Sequence, residues 1–126
     1  MSSSQREARI PGPDHPITIE PTAGRVVVRV GDQVIADSTR ALTLQEASYP
    51  PAYYVPLDDI DPAVLVPSTT DTYCPYKGDA SYYSVATPGD DIADAIWTYA
   101  TPYDAVAAIA GHGAFYTNKV DVSVED

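Results

Sequence analysis

The chain has 126 residues, enough for one core that needs neither disulfide nor metal staples. It is 44% hydrophobic and 20% charged, as globular domains are and disordered chains are not. Its formal net charge of -11 argues against nucleic acid and anionic membranes as partners, because both demand a basic footprint.

Residues 1–14 are polar and end in Pro11-Gly12-Pro13, so a disordered arm is expected there, followed by a single domain over 15–126. Ile17–Glu20 alternates as a half-buried strand does, and Arg25–Val30 reads as a second strand. Gly31-Asp32 forms a two-residue hairpin turn, with Gln33–Ala36 as the returning partner. Arg40–Leu44 alternates again and is expected as the third strand of this meander. Tyr49–Pro56 is rich in Tyr and Pro; because proline cannot donate to a ladder, the segment is expected at a sheet edge. Asp61 should cap a short helical turn that starts at Pro62. Val66–Tyr73 reads as strand or extended loop, Cys74–Gly78 as a tight turn and Ala80–Ala86 as a strand. Ile96–Ala100 follows as another strand, and Thr101 should cap a helix over Pro102–Ala110 that ends at Gly111. Ala114–Tyr116 and Lys119–Glu125 are expected to close the chain as a hairpin. The sum is an all-β fold with one short helix.

Cys74 is the single cysteine, so no intrachain disulfide can form and no zinc spacing exists. With no leader-like apolar stretch and no run near the 18 or so residues of a membrane span, a cytoplasmic location is expected. No cofactor is implied, and no metal: Asp58, Asp59 and Asp61 lack the glycine-hinged loop of a hard-cation site.

The charge is unevenly distributed. Residues 1–40 balance five acids with five arginines, whereas residues 41–126 hold thirteen acids and only Lys77 and Lys119 as cations. Lys77 is therefore either the partner of a neighbouring acid such as Asp71 or Asp79, or an anchor for a carboxylate or phosphate. Arg40 is a second possible anion contact. Cys74 is either a small buried hydrophobe or a thiol that Lys77 makes reactive. Gly78 should supply a positive φ or permit close approach. Ten of the twelve aromatic residues are Tyr, more than a core this size requires, and this suits a cleft wall or an interface. Candidates for that wall are Tyr49, Tyr53, Tyr76, Trp97 and Tyr99. His15 and His112 read as turn residues.

The string Thr72-Tyr73-Cys74-Pro75-Tyr76-Lys77-Gly78-Asp79-Ala80-Ser81-Tyr82-Tyr83 resembles the signature of the family catalogued as domain of unknown function 427. His15-Pro16-Ile17, Ala36-Asp37-Ser38, Tyr49-Pro50-Pro51, Trp97-x-Tyr99 and Ala114-Phe115-Tyr116 follow its order, so the resemblance covers roughly residues 15–124. It implies a β-tent, two antiparallel sheets meeting at an angle over a cleft. That topology is similar to methionine-R-sulfoxide reductases and to the thalidomide-binding domain of cereblon. Those relatives usually hold zinc on paired CxxC motifs, which this chain lacks. The nucleotidyl transfer that the family's short name suggests finds neither a paired-Asp metal site nor a glycine-rich phosphate loop here.

Three functions follow as expectations. The first is a small-molecule binding module, with Lys77 anchoring an anionic or polar cyclic ligand in a Tyr/Trp-lined cleft. The second is an enzyme using the Cys74-Pro75-Tyr76-Lys77 turn, through a thiolate or through Lys/Tyr acid–base chemistry, including nucleotide-related transfer. The third is an interaction domain offering its Tyr/Pro edge to a protein partner or a second copy.

Overall fold

A computed structural model describes residues 8–125, and the chain there is all-β. Seven strands form one antiparallel sheet: β1 (Ile17–Pro21), β4 (Leu42–Glu46), β5 (Ala52–Pro56), β6 (Leu65–Cys74), β7 (Gly78–Val85), β8 (Ile92–Thr98) and β9 (His112–Phe115). Their spatial order is β1-β4-β5-β9-β8-β7-β6. A smaller antiparallel sheet contains β2 (Arg25–Val30), β3 (Gln33–Ser38) and β10 (Asp121–Glu125), in the order β10-β2-β3. No helix among the described residues is long and apolar enough to cross a membrane.

Alternation along the strands produces two apolar layers. Val26 and Val28 of β2, with Ile35 and Ala36 of β3, face Val55, Val85, Ile96 and Phe115 of the large sheet, and this layer joins the two sheets. On the opposite face of the large sheet, Leu44, Tyr54, Ala80 and Ala114 pack with Tyr99, Val106 and Ile109. The last two belong to the segment Asp104–Ile109, which covers that face.

The hairpin at Gly31-Asp32 and the turn between β6 and β7 form as expected, and Asp61 caps its short helix by accepting from the Ala63 N–H at 2.9 Å. Four expectations are corrected. β4 is not the third strand of the first meander; it leaves that sheet and pairs with β1 and β5. The Tyr/Pro segment is not an edge, because β5 lies between β4 and β9. Its prolines avoid the ladder by sitting before the strand (Pro50, Pro51) or at its last residue (Pro56). The interaction-domain expectation therefore loses the edge on which it was based. The helix over 102–110 is a 3-10 helix over Asp104–Ile109, broken at Val106 (φ -126°, ψ 26°) and without a side-chain cap from Thr101. Burial of Val106 and Ile109 outweighs the helix propensity of its alanines. Finally, β9 and β10 form no hairpin: β9 pairs with β5 and β8, and β10 crosses to β2.

Residues 1–7 of the expected arm lie outside the described residues. Residues 8–15 run back over the β6–β7 turn, where the Arg9 N–H donates to the Pro75 carbonyl at 2.8 Å. Gly12 and His15 pair in an isolated bridge.

Gly113 lies at a close approach between β8, Leu57 and Ile60. A Cβ there would lie 2.9 Å from Ile96 Cγ2 and 3.3 Å from both Ile60 Cδ1 and Leu57 Cδ2. Gly113→Ala should therefore cost about 1–3 kcal/mol through overpacking. Urea unfolding would measure it, and an unchanged midpoint would contradict this account.

Candidate functional site

The four residues of β9 end at Phe115, after which the chain turns through Tyr116–Val120 towards the small sheet. The start of β5 therefore has no neighbour on that side, and a cavity of about 370 Å³ opens there. Because it sits beyond the end of β9, it touches side chains from both apolar layers: Leu44, Ala52, Tyr54 and Trp97 from one, Tyr53, Phe115 and Val122 from the other. The volume suits a small organic molecule.

One wall follows directly from cross-strand register. Tyr54 of β5 and Trp97 of β8 both oppose Ala114 of β9 and point to the same face. The small Ala114 side chain lets the two rings meet over it, edge to face, with centroids 6.2 Å apart and planes at 89°. The Trp97 indole N–H donates to the Tyr54 hydroxyl at 3.0 Å. Tyr116 tilts against Trp97, centroids 4.5 Å apart, and Lys119 Nζ lies 5.4 Å from the Tyr116 ring centre. Burial raises the Tyr54 hydroxyl well above the ordinary phenol range. Burial and a hydrogen bond with Tyr82 push Tyr116 up to about 12. Such hydroxyls stay protonated at neutral pH.

The cavity also contains an ion pair. Lys77, on the β6–β7 turn, is only 8% exposed, and its ammonium donates to Glu46 Oε1 at 2.5 Å. Glu46 ends β4, far across the sheet order from the turn that carries Lys77. The other carboxylate oxygen accepts from His15 Nε2–H at 2.7 Å. The His15 ring stacks on Tyr76 (4.0 Å, 9°) and meets Tyr49 edge-on at 6.4 Å. Burial alone would raise the Glu46 pKa, but the hydrogen bonds from Lys77 and His15 outweigh it and hold the carboxylate below its usual range.

Of the residues singled out in the sequence, the cavity gathers Tyr49, Tyr53, Lys77 and Trp97. Tyr76 stands one step behind, under His15. Gly78 has φ +110° and holds the turn against the passing backbone, since its Cβ would lie 3.6 Å from the Thr101 carbonyl oxygen. It shapes the turn without lining the cavity. Tyr99 is buried in the layer under Val106 and Ile109. Cys74 is half-buried and packs against that same layer. Arg40 is elsewhere, bonded through its guanidinium to Asp59 at 2.8 Å. The partner of Lys77 is neither Asp71 nor Asp79.

Glu46, His15, Tyr54, Tyr116 and Asn118 were not among the candidates. Glu46 left one signal: it is the only acid between Arg40 and Asp58, beside the Tyr49-Pro50-Pro51 string. Its contact with Lys77 spans 31 positions, beyond the reach of any local pattern.

The fold and this cavity define a two-sheet, all-β domain with an aromatic pocket built around a buried ion pair. The chain belongs to the family described as Domain of unknown function (DUF427), whose model matches residues 18–126. No curated protein matches the chain in sequence.

The pH dependence of stability follows from Glu46. Its folded pKa lies below its unfolded value, so its contribution is fully present above about pH 4.5 and is lost as pH falls through the folded value. Glu46→Gln, which strands the Lys77 charge, should cost about 2–3 kcal/mol at pH 7, somewhat less than breaking a fully buried pair. The gap between the two proteins should shrink below about pH 4. Urea midpoints at pH 7 and pH 3 measure both effects; a gap independent of pH would contradict the assignment.

Proposed function

We propose that the chain is a small-molecule binding module and that its ligand is a polar ring seated in the cavity at the end of β9. The observation that carries this reading is the composition of the wall: Tyr49, Trp97 and Tyr116 offer ring surface beside the Glu46–Lys77 pair. Apolar walls with a few fixed polar groups are the usual make-up of such sites. Lys77 is the polar anchor, although its charge is already met by Glu46, so a polar ligand suits the cavity better than an anion. The formal charge of -11 works in the same direction.

The enzymatic alternatives have less behind them. Cys74 packs into the layer under Tyr99 rather than lining the cavity beside Lys77. A phenol pushed upward in pKa, as Tyr54 and Tyr116 are, is poorly matched to proton transfer near pH 7.

Trp97 is the only tryptophan and lines the cavity, so its fluorescence is a single reporter at the site. A panel of nucleosides, sugars, sugar phosphates and aromatic acids, screened by thermal shift and then by Trp97 emission, tests the reading. At least one uncharged ring should raise the melting temperature and perturb the emission. Silence across the panel would count against a binding module. Tyr49 is 60% exposed, so Tyr49→Ala should weaken such a ligand about tenfold while changing stability by less than about 0.5 kcal/mol.

A further inference from the structure

The hydrogen-bonding capacity left over on the ion pair narrows the ligand class. An ammonium has three donors and Lys77 uses one, on Glu46. A carboxylate has about four acceptor positions, and Glu46 uses one for Lys77 and one for His15. Both side chains line the cavity, and the accessible remainder is small: 10% of the Lys77 side chain and 17% of that of Glu46. The two bonded groups are neighbours in the cavity lining, so their remaining capacity sets a donor beside an acceptor. A ring N–H next to a ring carbonyl has the complementary order.

The charge balance excludes the simpler alternatives. A carboxylate or phosphate would compete with Glu46 for Lys77; Arg40 is bound to Asp59 away from the cavity, and Lys119, over the Tyr116 ring, already donates to the Ala93 carbonyl. A cation would compete with Lys77 for Glu46, and the Tyr116 ring face already has Lys119 over it. An uncharged ring edge satisfies both members of the pair without separating them, and separating them would leave a buried charge unpaired. The ring itself meets Trp97, Tyr116 and Tyr49, all of which favour a planar partner.

We propose that the cavity selects an uncharged planar ring carrying an N–H beside a carbonyl, the N–H donating to Glu46 and the carbonyl accepting from Lys77. This rests on the binding-module reading and adds the edge chemistry to it.

The test uses the whole chain and three probes of similar size: 2-pyridone, N-methyl-2-pyridone and benzoate. The first has the full edge, the second has lost the donor, and the third is an acceptor-only anion. The single indole N–H resonance, that of Trp97, reports binding in the cavity by proton–nitrogen correlation spectra. The expected result is saturable movement with 2-pyridone, with N-methyl-2-pyridone and benzoate each at least tenfold weaker. N-methyl-2-pyridone within threefold of 2-pyridone, or benzoate binding more tightly, would overturn the edge assignment while leaving a ring-binding cavity in place. If none of the three moves the resonance, the edge assignment and the binding-module reading both fall.

Discussion

The ammonium of Lys77 is the contact on which this molecule turns. It sits at the tip of the β6–β7 hairpin, at one end of the seven-stranded sheet, and is bonded to a carboxylate on β4, next to the opposite edge. A flat sheet could not bring those positions together, so the pair requires the sheet to curl. The curl encloses the layer formed by Leu44, Tyr54, Tyr99, Val106 and Ile109. Taking Lys77 out of water is costly unless its partner is well placed. Glu46 meets that condition because it is itself held from the other side by His15, whose ring is fixed on Tyr76. The acidic character of the second half of the chain thus has a cation at its structural centre.

Parts of this arrangement were legible in the sequence because they are local. The two-residue turn after Val30, the Cys74–Gly78 turn and the Asp61 cap are encoded within a few positions. Strand partners are not. Leu42–Glu46 alternates equally well in either sheet, and only burial of Leu44 against Tyr54 and Ala114 assigns it to the larger one. The Tyr/Pro segment was misleading for a related reason: prolines mark an edge only when they interrupt a ladder, and these stand at its ends.

The candidate site was legible by composition and obscure by geometry. Surplus tyrosine and a lone cation singled out Tyr49, Tyr53 and Lys77, which line one cavity, but four features of that cavity and of the ion pair in its wall depend on distant parts of the chain. Trp97 faces Tyr54 because both flank Ala114, and Glu46 reaches Lys77 because the sheet curls. Tyr116 enters because β9 stops early, and His15 reaches Glu46 because residues 8–15 double back over the Pro75 turn. Arg40 and Tyr99 illustrate the converse, since residues attractive by type were consumed by an exposed ion pair and by the core.

The crossing of the chain from β9 to β10 bears on the order of folding. β10 pairs with β2 across more than ninety positions, and β5 pairs with β9 across nearly sixty, whereas the β2–β3 and β6–β7 hairpins close over a few. Loop-closure entropy favours the short hairpins first and the long pairings last. The cavity is bounded by β4, β5, β8 and the exit of β9, so it comes into being with the late pairings. Partly folded chains that have only the hairpins contain no pocket, and any ligand held there acts as a latch on the completed topology.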